Sequence, residues 1–134
     1  MLKPQTHIRI DFSGTCALGP GKISLLEGIE RTGSLSAAAR ALGMSYRRAW
    51  LLLHSTNESF SQPVAELSVG GKDGGGAQLT EFGRRLVDDY RTFEAAVDAI
   101  ATKTFAGVRA SGKVAEISVS RRRPIKRPLG SIRK

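Results

Sequence analysis

The stretch SLSAAARALGMSYRRAW, residues 34–50, decides the fold of this chain. Its first half is a short helix built largely from alanine, and Gly43 interrupts it four residues after Ala39. Small side chains such as those of Ala38 and Ala39 let two helices cross closely, and glycine tolerates the positive φ of a sharp turn. Ser45 can then cap a second helix, to about residue 55. The pattern predicts a helix-turn-helix.

The first turn of that second helix is polar and basic. It contains Ser45, Tyr46, Arg47 and Arg48, and no acidic residue lies between positions 31 and 57. In a major groove, such a turn presents hydrogen-bond donors to base edges and phosphates. The alternative is a plain helical hairpin whose arginines are solvated. For Arg47 and Arg48 individually, the sequence favours neither exposure to solvent nor contact with DNA. Trp50 lies one turn into an apolar face and is predicted to pack in the core.

The segments before this unit are predicted to be a strand and a helix. Residues 6–12 alternate apolar and polar side chains, which is typical of a half-buried strand. Residues 14–22 are interpreted as a loop, and the first helix then runs from about residue 22 to Thr32. Gly33 follows as the glycine that ends it.

The segments after the unit predict a hairpin and a long helix. Residues 64–69 and 77–79 are the two strands, and GGKDGGG, residues 70–76, is the tip between them. This tip lacks the glycine spacing and the following Ser or Thr of a phosphate-binding P-loop. It is interpreted as a wing whose backbone and Lys72 approach phosphates, or as a mobile hairpin tip. Thr80 caps the last helix, of about 25 residues.

This last helix carries an apolar stripe with steps of three and four residues. The stripe consists of Phe82, Leu86, Tyr90, Phe93, Val97 and Ile100. The order strand, three helices, hairpin and long helix predicts a mainly α fold with a small β-hairpin wing. This is the order of a winged helix-turn-helix with a long C-terminal helix.

The charge is concentrated at the end of the 134-residue chain. The net charge is +9, of which residues 107–134 contribute +8 and residues 1–106 only +1. Global basicity therefore does not by itself make the body a nucleic-acid binder. The run RRRPIKRP, residues 121–128, is interpreted either as an auxiliary DNA-binding arm or as a solubilising tail. We expect three parts, namely a strand and loop (1–17), the winged helix (18–105) and a flexible basic tail (106–134).

Other kinds of chemistry find little support in the sequence. Cys16 is a single cysteine that cannot form an internal disulfide, and it is predicted to be a small core residue in a reducing cytoplasm. The chain has two histidines, His7 and His54, in addition to this cysteine. The sequence therefore indicates neither a metal site nor a nucleophile–base arrangement. No run reaches the length of a membrane span. We therefore expect a cytoplasmic protein that is not an enzyme, with no cofactor, metal, membrane contact or identified small-molecule effector site.

Two motifs together resemble the N-terminal DNA-binding domain of the ModE family of molybdate-responsive transcriptional regulators, whose winged helix is LysR-like. They are GSLSAAARALGMSYRRAW, residues 33–50, and GGKDGGGAQLTEFGRRLVDDY, residues 70–90. The resemblance covers about residues 18–100. It implies a recognition helix at 45–55, a wing at 70–76, and a dimer formed through the first helix and a long C-terminal dimerisation helix. The apolar stripe from Phe82 to Ile100 agrees with this implied dimer contact. Full-length members continue into oxyanion-binding domains, which we do not expect in residues 107–134, and we assign no residue to molybdate.

The sequence thus predicts a homodimeric, sequence-specific transcriptional regulator that binds double-stranded DNA. The candidate DNA contacts are Ser34, Ser36, Ser45, Tyr46, Arg47, Arg48, Lys72 and Arg84. The alternative is a protein-interaction module with a winged-helix fold, whose basic tail binds polyanions non-specifically.

Overall fold

The computed structural model describes residues 3–14, 16–68, 76–109 and 111. The elements follow the order expected of a winged helix-turn-helix, with an additional strand near the N-terminus. They are β1 (Ile10–Ser13), β2 (Cys16–Leu18), α1 (Pro20–Thr32), α2 (Leu35–Ala41), α3 (Tyr46–Ser59), β3 (Ala65–Leu67), β4 (Ala77–Leu79) and α4 (Glu81–Thr104). The predicted fold class is confirmed.

Glycines and a serine set the helix boundaries around α2, as the sequence indicates. Gly33 ends α1 with a φ of 69°, and its N–H donates to the carbonyl of Ile29 at 2.8 Å. Ser34 caps α2, because its Oγ accepts the N–H of Ala37 at 3.1 Å. Gly43 has a φ of 67° in the turn between α2 and α3. Each position uses a backbone conformation or a side-chain acceptor that few residue types supply.

The alanines of α2 allow helices to approach closely. Ala38 is completely buried, and a Cβ placed on Gly28 of α1 would lie 3.0 Å from the Cβ of Ala38. Ala39 is also buried. This contact leaves no room for a larger side chain at either position, but it joins α2 to α1, whereas the sequence predicts that the alanines allow a close crossing of α2 with α3.

The hairpin of β3 and β4 is antiparallel and is held against two helices. The N–H of Ala77 donates to the carbonyl of Gly33 at 2.9 Å, which joins β4 to the end of α1. On the other side, Asn57 of α3 accepts the N–H of Val64 at 2.7 Å and donates to the carbonyl of Ala65 at 3.1 Å. The base of the predicted wing is therefore fixed by hydrogen bonds to α1 and α3.

The long helix α4 begins as predicted and has 24 residues. Thr80 caps it by accepting the N–H of Gly83 at 3.0 Å, while its own N–H donates to the carbonyl of Val64 at 3.0 Å. A Cβ on Gly83 would lie only 2.0 Å from that Val64 carbonyl oxygen. The start of α4 is consequently packed directly against the backbone that enters the hairpin.

The N-terminal region differs from the prediction. The residues predicted as a loop contain β2, which pairs with β1 through a bulge, and β1 begins only at Ile10. Before it, the chain runs along α4, where Tyr90 donates its hydroxyl to the carbonyl of Ile8 at 2.7 Å. The N–H of Thr6 donates to Asp98 at 3.1 Å. The alternation in residues 6–10 is real, but its half-buried side contacts a helix instead of a neighbouring strand.

The core is formed by all four helices together with β2, β3 and β4. Its largest fully buried side chains are Leu18, Ile23, Leu25, Leu26, Ile29, Val64 and Thr56. Cys16 is only partly buried, at the edge of this core rather than inside it. In the part of the chain that the structure describes, no helix is both long enough and apolar enough to span a membrane.

Candidate nucleic-acid interface

The N-terminal turn of α3 is exposed and basic. Ser45 caps the helix by accepting the N–H of Arg48 at 3.1 Å, so its side chain is fixed at the helix end. Tyr46, Arg47 and Arg48 all follow on the exposed surface. The helix continues to Ser59, four residues beyond the predicted end at residue 55. The four residues predicted to contact bases are thus brought together on one accessible turn.

The phase of α3 decides which side chains point away from the core. Ala49, Leu53 and Thr56 are buried. Since successive residues are about 100° apart around a helix, Arg47 and Leu51 lie roughly opposite that buried side. The outward face therefore combines a cation with an apolar side chain one turn later.

The positive charge of this face is not neutralised within the described residues. The ion pairs found over residues 3–14, 16–68, 76–109 and 111 join Arg9 to Asp11, Arg84 to Glu30, and Arg91 to Glu27 and Glu94. None of them uses Arg47 or Arg48. Together with the acid-free segment 31–57, this leaves a local positive potential despite the nearly neutral body.

Trp50 corrects the sequence-based interpretation, because 39% of it is exposed. Its ring stacks on His54, with centroids 4.9 Å apart and planes 6° from parallel. Both rings line a small cleft of about 100 Å³ beside Leu67 of the hairpin. The residue lies next to the buried Ala49, and a step of about 100° is enough to turn it out of the core. The predicted packing of Trp50 in the core is therefore wrong.

The candidate contacts on α2 have different surroundings. Ser34 is half-buried and its Oγ already accepts the N–H of Ala37. Ser36 is exposed on the surface of α2. Ser36 is therefore the more accessible of the two hydroxyls.

The remaining candidate DNA contacts are Arg84 and Lys72. Arg84 lies on α4 and pairs through its Nε with Glu30 of α1 at 3.1 Å, so its guanidinium is shared with a carboxylate. Lys72 and the tip of the wing lie outside the described residues, as does the basic run at 121–128. The structure thus brings only part of the predicted set onto one surface.

Two open clefts flank the Glu30–Arg84 pair, with volumes of about 400 and 360 Å³. The first lies towards the base of the wing and the second between α1 and α4. Among the described residues, every buried side-chain polar atom has a hydrogen-bond partner. Neither cleft therefore directs an unpaired buried polar group at a ligand.

The apolar stripe of α4 divides into two halves. Phe82 and Leu86 pack against the core of their own chain. Tyr90 is only 2% exposed, so a second copy has no access to its side chain. The first half of the stripe is therefore used within the chain, because the N-terminal segment and the core cover it.

The second half of the stripe is open. Phe93 is 49% exposed and Ile100 is 64% exposed, with the half-buried Val97 between them. These residues follow the same three-and-four spacing, and Phe93 and Ile100 stay exposed although Thr6 of the N-terminal segment hydrogen bonds to Asp98 in this half of α4. Of the predicted dimerisation residues, they are the ones that a partner can contact.

A charged cluster joins α4 to α1 and was not predicted from the sequence. Arg91 donates from Nε to Glu27 at 3.0 Å and also pairs with Glu94 at 2.7 Å. The hydrogen bond to Glu27, followed by that to Glu94, raises the pKa of Arg91 above its ordinary value. Burial raises the pKa of the neighbouring Tyr90, and the Glu94 carboxylate adds to this rise. The spacing of Arg91 and Glu94 was the only signal in the sequence.

The described ranges contain no group of three or more His, Cys, Asp or Glu side chains that could hold a metal ion. The perturbed pKa values belong to Tyr90 and Arg91, which lie in the contact of α4 with α1 and the N-terminal segment. Both therefore have a structural explanation.

The fold defined by these elements is that of winged-helix DNA-binding domains. A solved structure described as a CbnR_DBD–DNA complex superposes with a TM-score of 0.52. The match covers 66% of this chain and 97% of that one, at 17% sequence identity. At this identity, the likeness shows a common fold.

Curated relatives confirm the resemblance to ModE in the sequence itself, although no family model matches. The molybdenum transport protein ModE of Azotobacter vinelandii is 44% identical over 88 residues, which are 66% of this chain and 33% of that protein. The molybdenum-pterin-binding protein MopB of Rhodobacter capsulatus is 45% identical over 80 residues, 60% of this chain and 30% of MopB.

A third relative carries a regulatory description. The DNA-binding transcriptional dual regulator ModE of Escherichia coli K12 is 42% identical over 71 residues, 53% of this chain and 27% of that protein. The chain thus spans about a third or less of the length of these three relatives. Their names describe regulators, transport or binding proteins, which agrees with the expectation that the chain is not an enzyme.

Proposed function

We propose that this chain is the DNA-binding part of a transcriptional regulator that acts in the cytoplasm as a homodimer. The observation that carries the proposal is the outward face of α3, where Arg47 and Arg48 are exposed and no ion pair among the described residues uses them. The winged-helix fold and the regulatory description of a ModE relative support the same conclusion. In this fold, the second helix of the helix-turn-helix is the one that enters a major groove.

The groove contacts follow from the position of each side chain. Tyr46, Arg47 and Arg48 lie on the first exposed turn of α3, where they reach base edges and flanking phosphates. Ser45 holds the helix end and can donate its hydroxyl proton outwards while its oxygen caps the helix. Ser36 on α2 is placed for a phosphate. Arg84 shares its charge with Glu30 through Nε, so we assign it a secondary role among the phosphate contacts.

The wing and the tail supply backbone contacts in this proposal. Lys72, within the glycine-rich tip, adds a phosphate contact that releases counterions, and residues 107–134 add eight net positive charges. Such contacts raise affinity and salt dependence without reading sequence. Sequence preference therefore has to come from α3.

The homodimer is proposed to form through the open half of the α4 stripe, namely Phe93, Val97 and Ile100. Exposed apolar side chains that continue a helical stripe are typical of a helix-packing surface. A twofold dimer places its two recognition helices in half-sites about one helical turn or more apart. We assign no residue to a cofactor or to molybdate.

Selection from a pool of random DNA duplexes tests the proposal. The full chain and a chain ending at Phe105 are each used, since Phe105 is the C-cap of α4. Both are expected to enrich a two-fold symmetric sequence, and the shorter chain should show a smaller slope of affinity against salt concentration. Loss of all binding on removing the tail would instead support a protein-interaction module with a polyanion-binding tail.

Substitution of one arginine tests where sequence preference originates. Arg47→Ala is expected to weaken binding to the selected duplex and to reduce discrimination at one base position by about 1–3 kcal/mol. Arg9→Ala removes the same charge from an arginine paired with Asp11 outside the helix-turn-helix, so it should leave discrimination unchanged. An equal loss on every duplex after Arg47→Ala would make Arg47 a phosphate contact.

A further inference from the structure

We infer that Leu51 is a specificity-determining residue that contacts the C5-methyl group of a thymine in the major groove. This inference rests on the proposed function and extends it to a residue that the polar first turn of α3 does not include. Leu51 is 50% exposed and lies one turn after Arg47 on the outward face of the helix.

The packing of α3 leaves Leu51 without a structural role in the core. The side of the helix that faces the core is formed by Ala49, Leu53 and Thr56, all of which are buried. Leu51 lies about 160° from both Ala49 and Leu53 around the helix axis, on the opposite side. Half of its apolar surface faces water in the single chain, and covering that surface on binding is favourable.

The exposed apolar residues of α3 are grouped. Tyr46, Trp50 and Leu51 are all among the large exposed hydrophobic residues, and they occupy two consecutive turns. Trp50 is stacked on His54, on the side of the helix towards the hairpin. Leu51 instead lies beside Arg47 at the outermost part of the helix, which is the part that comes closest to the floor of a groove.

The charge of this face indicates that its binding partner is DNA. Arg47 and Arg48 flank the apolar residues, and segment 31–57 contains no acidic residue, which matches a polyanion. On the floor of the major groove, the thymine C5-methyl is the apolar group that base pairs offer, and side chains such as leucine pack against it. A helix lying on a membrane would place its whole length at the anionic surface, including Glu58 on the same face as Leu51. Entry of the N-terminal half of α3 into a groove avoids this repulsion.

Replacement of thymine by deoxyuridine tests the contact, because deoxyuridine differs only by the missing methyl group. The duplex selected by the full chain is synthesised with one thymine replaced at a time, and affinities are measured by fluorescence anisotropy. At one thymine in each half-site, the wild-type chain is expected to lose about three- to fivefold in affinity, as burial of one methyl predicts.

Three variants decide the assignment. Leu51→Ala should bind the thymine duplex three- to fivefold more weakly than the wild type, by about the same estimate, and should no longer respond to deoxyuridine. Leu51→Met keeps an apolar side chain of similar volume and should keep the response. Leu42→Ala changes another half-exposed leucine, in the turn before α3, and should also keep it. Circular dichroism confirms that each variant is folded.

The outcomes separate this inference from the function on which it rests. A wild-type chain without selective duplex binding would overturn both. Selective binding in which Leu51→Ala still responds to deoxyuridine would overturn the thymine contact alone. Stronger binding of the full chain to phosphatidylserine vesicles than to the duplex, with weakening by Leu51→Ala, would assign the face to a membrane surface instead.

Discussion

Helices α3 and α4 both carry arginines and exposed apolar side chains, but they use them differently. On α4, Arg84 and Arg91 pair with carboxylates of α1. On α3, no ion pair of the described residues includes Arg47 or Arg48. Because a nearby carboxylate offsets the charge of an arginine, the paired arginines of α4 attract a phosphate less strongly than Arg47 and Arg48 do. The difference separates a helix that joins parts of the chain from one prepared for an external polyanion.

The apolar residues of the two helices show the same contrast. The first half of the α4 stripe is covered by its own chain, with Tyr90 only 2% exposed, whereas α3 exposes Tyr46, Trp50 and Leu51. Exposed apolar side chains beside basic ones on α3 do not stabilise the folded chain. The contrast therefore predicts that changes on the covered half of α4 alter stability and that changes on the outer face of α3 alter binding.

The largest effect is expected from Gly83→Ala at the start of α4. The new Cβ would lie 2.0 Å from the carbonyl oxygen of Val64, so the backbone of the hairpin or the helix has to move. We expect the free energy of unfolding to fall by about 3 kcal/mol or more, measured by urea denaturation. Gly21→Ala is the matched control, since its Cβ meets nothing within 4 Å in the first turn of α1. Equal stability of the two variants would contradict the close contact.

An intermediate effect is expected from Arg91→Ala. This change removes the pairing of α4 with Glu27 and the pair with Glu94, which are partly exposed to solvent. Such pairs contribute about 1 kcal/mol, so the unfolding free energy should fall by that amount while the affinity for the selected duplex stays the same. Arg47→Ala should do the reverse. Weaker DNA binding by a fully stable Arg91→Ala variant would abolish the distinction between the two helices.

An effect of similar size to that of Arg91→Ala, but dependent on pH, is expected from Tyr90→Phe. The change removes the hydrogen bond to the carbonyl of Ile8 and should lower the unfolding free energy by about 0.5–1.5 kcal/mol near neutral pH. Burial raises the pKa of Tyr90, so folding favours its neutral form. This contribution is complete below the ordinary pKa of tyrosine, about 10, and is lost as the pH rises through the folded-state value. Stability measured between neutral and alkaline pH should therefore decline less in the variant than in the wild type.

Local signals in the sequence predicted much of the fold. Gly33 and Gly43 have the positive φ that only glycine adopts freely, and Ser34, Ser45 and Thr80 cap their helices. Such features depend on neighbouring residues, so the sequence contains the necessary information. The basic first turn of α3 was found for the same reason.

The errors concern contacts between distant parts of the chain. The half-buried face of residues 6–10 was recognised, but its partner, α4, begins more than 70 residues later. The stripe on α4 was correctly periodic, yet periodicity does not tell which half is covered by the same chain. Trp50 was misplaced because adjacent apolar residues, Ala49 to Leu53, allow more than one rotation of α3. Each error thus reflects tertiary packing that a local pattern leaves open.

The N-terminal segment has a consequence for the order in which the chain folds. Thr6 and Asp98 hydrogen bond although 92 residues separate them in sequence. Contacts of such separation close a long loop and form late, after the helices between them. Because synthesis proceeds from the N-terminus, this segment leaves the ribosome before α4 but cannot reach its final place until α4 is complete. A segment that is made before the helices is therefore fixed after them.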